Sequence, residues 1–389
     1  MNILKHIIYL PWIVICLFAC NRFEKKTEKS YPSNLPLINL QGEILKNDKK
    51  PISLFSSNEQ IEYVQLENFP EGSYQDVLAT KKHIYVILSH YRGLMVYTRN
   101  GEFLKHFDEP AFHLFKLFYD RYENRIFAHG WNNTWVLDDY TGEPLGDVQK
   151  LYGLPSHTVA YPLSSDRLFV LYGRGDEYNT KVGAAICDYE GKQMTDSLYI
   201  GKGDVELAPC WWSWSTFVTE DKAGEFLFFT FFRGAPYQTI FRVTPDKIEP
   251  VCYFDIEANI DMRYVWKWGD NLCFIYHFLC GGNILTETNV TLSVYNMKTG
   301  TLKSQRLLDK MNGKSSDKYL GVQNTIDGGL PIVFNNSSNP RHQVVDMILG
   351  KDANHYLQQN KNCDKIHSFI KEMREDSSPW VTIVKSNNY

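Results

Sequence analysis

One unit recurs along the chain and leaves little choice of fold: an apolar strand, a tight turn and a second strand. It is read in "LMVYTRNGEFLKHF" (94–107), "TWVLDDYTGEPLGDV" (134–148), "AAICDYEGKQMTDSL" (184–198), "QTIFRVTPDKIEPVCYF" (238–254) and "TLSVYNMKTGTLKSQRL" (291–307). The turns Asn100-Gly101, Thr141-Gly142, Glu190-Gly191, Pro245-Asp246 and Thr299-Gly300 follow one another at intervals of 41 to 55 residues. Such turn dipeptides between apolar runs are hairpin signals. Two further strand candidates precede each hairpin, "DVLAT" and "IYVIL" before the first and "LFKLFYD" and "RIFAH" before the second. Four strands in roughly 45 residues is the period of a β-propeller blade.

Five full units are present, and a sixth is split. "YLGVQNTI" (319–326) and "LPIVFNN" (330–336) supply its first two strands, and "WVTIVKS" (380–386) its third. Between them, Ile366, Phe369, Ile370 and Met373 recur at helical spacing, which predicts a helical insertion over 350–376. The sixth unit lacks a fourth strand, while "IEYVQLE" (61–67) precedes unit one without a hairpin of its own. The expectation is an all-β, six-bladed propeller. Its N-terminal strand closes the last blade and so hides an open sheet edge.

Ahead of the repeats the chain opens on a different kind of segment. An apolar run from Ile7 to Ala19, about 13 residues, follows Lys5 and stops at Cys20. It falls short of the roughly 20 residues needed to span a membrane and matches the middle of a secretory leader. Leu17-Phe18-Ala19-Cys20 looks like a bacterial lipobox, which implies cleavage before Cys20 and its acylation. The organisation read from the sequence is therefore a lipoprotein signal peptide over 1–19, a polar tether over 20–55 and the propeller over 56–389.

Net charge is −4, which gives no electrostatic footprint for nucleic acid. Aromatic residues make up 14 % of the chain, which suits strands. Beyond Cys16 and Cys20 there are Cys187, Cys210, Cys252, Cys273, Cys280 and Cys363. Several lie inside apolar runs and read as small buried hydrophobes; Cys273 and Cys280 are placed to pair across a hairpin. No paired short cysteine spacing points to zinc. Asp255, Glu257 and Asp261 lack the regular spacing of a calcium loop. Neither a phosphate-binding loop, nor a dinucleotide fingerprint, nor a nucleophile elbow is present. The reading assigns no cofactor, no metal and no catalytic residue.

The lipobox, the opening "IEYVQLE" strand, the "VYTRNGEFLKHF" hairpins and the "REDSSPWVTIVK" ending together resemble the six-bladed β-propeller lipoproteins of Bacteroidetes. "YIGKGDVELAP" (199–209) is similar to their glycine-rich blade-connecting loop, with fewer glycines and no arginine pair. The resemblance implies a cell-envelope location and a binding role; Asn21 after Cys20 does not resemble the Asp-type inner-membrane retention signal, which favours the outer membrane. The resemblance brings no catalytic residues.

In a propeller, the loops from second to third strand and from one blade to the next gather at one face. Arg92, Arg174 and Arg233 fall in the second-to-third-strand loops of three blades, with Trp131, Tyr178 and Tyr237 in such loops as well. Converging guanidinium groups hold carboxylate, sulfate or phosphate in bidentate fashion. The competing reading pairs each arginine within its own loop, as Arg174 with Asp176. Trp211 and Trp212 in "PCWWSWSTF" (209–217) offer either a flat platform for sugars or a protein partner, or filling between blades. The expected function is a lipid-anchored binding protein whose partner is a glycan or an envelope protein. The alternatives are a propeller enzyme, either a metal-dependent hydrolase or a polysaccharide lyase, and an assembly component that docks through the 350–376 insertion.

Overall fold

The structure, a computed structural model, describes residues 34–40, 52–55, 59–89, 92–108, 114–130, 134–155, 158–174, 181–200, 216–222, 224–230, 238–255, 260–278, 290–307, 324, 326, 332, 343–348 and 378–385. Strands β1 (Leu37–Asn39) and β2 (Gln60–Gln65) come first. Blade one is β3 (Tyr74–Ala79), β4 (His83–Leu88), β5 (Leu94–Thr98) and β6 (Phe103–Phe107). Blade two is β7 (Leu114–Asp120), β8 (Arg125–Gly130), β9 (Thr134–Asp138) and β10 (Pro144–Asp147), followed by a short helix, α1 (Val148–Tyr152). Blade three is β11 (Thr158–Ser164), β12 (Arg167–Arg174), β13 (Lys181–Asp188) and β14 (Leu198–Ile200). Blade four is β15 (Thr216–Lys222), β16 (Glu225–Thr230), β17 (Gln238–Val243) and β18 (Ile248–Asp255). Blade five is β19 (Ile260–Trp268), β20 (Asn271–Phe278), β21 (Val290–Asn296) and β22 (Thr301–Leu307). Among the described residues, blade six comprises β23 (Gln343–Ile348), β24 (Trp380–Lys385) and, from the other end of the chain, β2.

Each full blade is an antiparallel meander, and the chain is a six-bladed β-propeller. The alternation of side chains explains why the sheets stand as blades. Along β3, Val77 and Ala79 face blade six and Leu78 faces blade two. Along β4, Ile84 and Val86 go one way and Tyr85 and Ile87 the other. A sheet that is apolar on both faces needs a neighbour on each, and a ring supplies one to every sheet. Aromatics fill the wedges between blades: Phe169 of blade three against Phe228 of blade four at 4.8 Å, and Phe254 of blade four against Phe274 of blade five at 5.5 Å.

The hairpin turns have a shared local cause. The side-chain oxygens of Asp138, Asp188 and Asn296 each accept from backbone N–H groups two to four residues on, such as Asp188 Oδ1 from Lys192 N at 2.8 Å. Each is an Asx-type turn that ends the third strand.

Ring closure follows the expected route: β2 pairs antiparallel with β24, Gln60 opposite Lys385 and Gln65 opposite Trp380. The second strand of blade six departs from expectation. It is 343–348, paired with β24 from Gln343–Lys385 to Ile348–Trp380, and not 330–336. The buried Val345, Met347 and Ile348 give that short segment its apolar contacts. The predicted helical insertion lies outside the described residues, as do the leader and Cys20.

The tether expected over 20–55 also needs correction. Within it, β1 adds as a fifth, parallel strand to the outer edge of blade four, Leu37 opposite Tyr253 and Asn39 opposite Asp255. Ile38 and Leu40 are buried against Phe254 and its neighbours, and Leu54 and Phe55 are buried against Trp268. Among the described residues, the thiols of Cys187, Cys252 and Cys273 are free and buried. Burial pushes Cys187 up to about 11 and Cys252 up to about 12. Cys273 is thus not in a disulfide; Cys280 lies outside the described residues.

Candidate functional site

The first strands β3 and β7 pack side by side, as do β15 and β19, so first strands lie innermost. Their starts, and the ends of the second strands, point to the face where second-to-third-strand loops meet. Of the sequence-predicted site residues, only Arg92 has a described side chain. Its Nη1 donates to the Glu71 carbonyl at 2.7 Å and its Nε to the Ser89 carbonyl at 3.4 Å. The guanidinium lies over Gly72, whose φ of +137° and lack of a Cβ leave room for it. Arg92 therefore ties its own loop to the segment entering blade one. Arg174 ends β12, its backbone opposite Lys181, on the same face. Trp131, Tyr178, Trp211, Trp212, Arg233 and Tyr237 lie outside the described residues.

The structure gathers a different set of polar groups at the inner end of this face. Asp76 follows an irregularity in β3 and is 1 % exposed. Its Oδ1 accepts from Val77 N at 2.9 Å and its Oδ2 from Leu117 N of blade two at 2.7 Å. The equivalent irregularity in β7 precedes Lys116, which is 3 % exposed. Burial lowers the Lys116 ammonium to about 8, with the Asp76 carboxylate holding it partly up. An ordinary lysine titrates near 10.4, so desolvation outweighs the acid beside it.

His129, at the end of β8, is fully buried. Its Nε2 meets the Ala160 carbonyl at 3.1 Å, and since a carbonyl only accepts, Nε2 carries the proton. Nδ1 is then a bare acceptor without a partner among the described residues. Burial, and then the Lys116 charge, push His129 down to about 3. The ring stands edge-on to Tyr161 at 4.7 Å. Towards blade six, Tyr74 of β3 donates to the Met347 carbonyl at 2.5 Å and lies 3.1 Å from Asp346 Oδ1. Asp346 is also buried and accepts from Met347 N at 2.7 Å.

The rim of blades six, one and two thus holds two acids, a lysine, a histidine and a tyrosine. These residues lie on strands, outside the loops in which the sequence places its candidates. The signal was a charged or imidazole side chain inside an apolar strand: "LFKLFYD", "RIFAHG" and "QVVDMI". Among the described residues, no group of three or more His, Cys, Asp or Glu is disposed to hold a metal ion.

A polar concavity lies at the ring seam, an open groove of about 640 Å³ lined by Glu62, Tyr63, Arg99 and Trp380 among others. There Glu62 Oε2 accepts from Arg99 at 2.7 Å and from Lys385 at 3.0 Å.

Fold and rim define a six-bladed propeller with a partly charged inner end on one face. No family model matches the chain, and no curated protein matches it. Among solved structures, a Bacteroides fragilis protein described as exported is similar over 87 % of this chain and 98 % of its own, at 11 % identity and a TM-score of 0.54. Virginiamycin B lyase from Staphylococcus aureus matches 65 % of this chain and 75 % of its own, at 12 % identity and a TM-score of 0.40. A Bacteroides caccae protein of unknown function matches 63 % and 85 %, at 15 % identity and a TM-score of 0.37. At such identities the first likeness speaks for the fold alone.

Proposed function

We propose that this chain is a lipid-anchored protein of the cell envelope, on the outer membrane, that binds a glycan or a protein partner through the face where its second-to-third-strand loops meet. One observation carries the reading. Lys116, His129, Asp76 and Asp346 are all buried at the inner end of that one face. Burying such groups costs stability that apolar side chains would not cost. Perturbed titratable groups collected in one place are the usual mark of a working site. The leader-like segment ending at Cys20, and the export ascribed to the Bacteroides fragilis neighbour, support the location.

The test has two arms. The mature chain is applied to an array of neutral and acidic glycans, and envelope proteins are cross-linked to it in intact cells. Binding in either arm that is lost when the rim is altered supports the reading. No glycan bound at millimolar concentration, together with no envelope partner, overturns it. For the anchor, Cys20→Ala is expected to release the protein from the membrane fraction; retention of the variant there would dismiss the lipid.

A further inference from the structure

We infer that the inner end of blade two is a subsite for one carboxylate of the ligand, as carried by an acidic sugar, with Lys116 as its cation and His129 Nδ1 accepting from an adjacent hydroxyl. This deepens the ligand-binding reading and rests on it.

Unused hydrogen-bonding capacity at this end of the blade points to such a ligand. An ammonium has three donors, and a buried one needs acceptors. Both carboxylate oxygens of Asp76 already take backbone N–H groups, from Val77 and Leu117. Among the described residues, Lys116 forms no ion pair within 4.0 Å. His129 is held neutral and so does not compete for an anion. With its proton on Nε2, its Nδ1 is an acceptor facing no donor among the described residues. On β11, the strand whose Ala160 carbonyl fixes the imidazole, Thr158 Oγ1 is buried and also without a partner. Neighbouring strands of blades two and three thus present an unspent cation, an unspent acceptor and an unspent hydroxyl. A carboxylate with hydroxyls next to it supplies the complement of all three. A neutral sugar leaves the ammonium unanswered, and a bare carboxylate leaves the imidazole nitrogen unanswered.

The charged and titratable groups disposed around Lys116 are Asp76 on β3 and His129 on β8, with Tyr161 on β11 behind the imidazole. Bringing an anion to the amine favours its protonated form. Binding should therefore draw in a proton near pH 8 and weaken as pH rises beyond it.

The experiment is titration calorimetry on the mature chain with galacturonate, galactose and acetate, repeated in two buffers of different ionisation enthalpy. Lys116→Met keeps the stem and removes the charge; it also leaves the buried Asp76 carboxylate without its neighbouring cation, so folding of the variant is checked first by its melting temperature. Galacturonate is expected to bind, with galactose at least about tenfold weaker. The variant should lose roughly tenfold to a hundredfold in galacturonate affinity, the range of a hydrogen bond to a charged group, and lose the proton uptake too. Equal affinity of variant and wild type for galacturonate overturns the inference, as does equal affinity of the wild type for galacturonate and galactose. Acetate bound as tightly as galacturonate overturns the sugar half and leaves the carboxylate half standing. If Lys116→Met is unstable, amine labelling of the wild type decides: galacturonate, and not galactose, must protect Lys116 at pH 8. Neutral glycans bound by the wild type while galacturonate is not would sink this subsite and spare the broader reading.

Discussion

His129 is a buried imidazole whose folded form titrates near 3 against an ordinary value near 6.5. Between those values the unfolded chain binds the extra proton, so this residue makes stability rise with pH across that window. The contribution is complete above pH 6.5 and is lost as pH falls towards 3. Asp120 works in the other direction: burial raises it to about 6, so it adds stability at low pH that fades as pH rises through 6. Replacing His129 by Gln is expected to flatten the acid limb of the stability curve by up to about 1.4 kcal/mol per pH unit, one proton's worth. Urea unfolding of both proteins at pH 4, 5 and 6 reads the slope, and parallel limbs would refute the assignment. A second residue acts through shape. Gly101 turns at φ +91° where a Cβ would overlap the Gln65 carbonyl. That carbonyl belongs to β2, on the other side of the ring seam, and Gly101 O accepts from Glu67 N at 2.9 Å there. Gly101→Ala combines left-handed strain with a backbone clash and should cost about 2 kcal/mol or more. A melting temperature equal to wild type would show that the turn yields freely.

Strand β1 is the element that composition hid. Its surroundings are polar, so 20–55 reads as tether, and only Ile38 and Leu40 betray that the edge of blade four is covered. Three residues of parallel pairing carry no periodicity to detect. Strand β23 was missed for a related reason: "QVVDMI" is short, and Asp346 breaks its apolar run, although in the fold that aspartate is buried beside Tyr74. By contrast, the hairpins of blades one, two, four and five were legible, because turn chemistry and two-residue alternation act within a few neighbouring positions; in blade three the turn at Glu190-Gly191 forms, but the fourth strand comes only at Leu198–Ile200. The rim was only half legible. Which strands carry charge can be read, but that Lys116 and Asp76 meet across two blades depends on the ring. For β1, the expected outcome is that Ile38→Ala costs about 2–4 kcal/mol, the usual range for a buried aliphatic truncation. The same change should raise hydrogen exchange at Tyr253, whose N–H donates to the Pro36 carbonyl at 2.9 Å. Unaltered exchange there would mean that β1 is ornamental to the edge it covers.

At the scale of the whole molecule, β2 and the C-terminal β24 join in one blade, and it matters which force joins them. Two contributions compete at the seam. One is the ion cluster in which Glu62 meets Arg99 and Lys385. The other is the burial of Val64 and Leu66 against Val381 and Ile383 in the core between blades six and one. The Glu62 side chain is 41 % exposed, so its charge is screened and its pairs are worth little, about 1 kcal/mol or less. Leu66 is fully buried, and removing most of its side chain opens a cavity costing about 2–5 kcal/mol. Apolar packing therefore holds the ring shut, and the ions fix register along an already paired strand. Leu66→Ala should lower the urea midpoint strongly at any salt concentration, whereas Glu62→Gln should shift it slightly and only at low salt. Because every blade leans on two neighbours, the weakened seam should lower a single unfolding transition rather than release blade six alone. A separate early transition in Leu66→Ala, seen by tryptophan fluorescence, or a larger loss in Glu62→Gln than in Leu66→Ala, would reverse that ranking of forces.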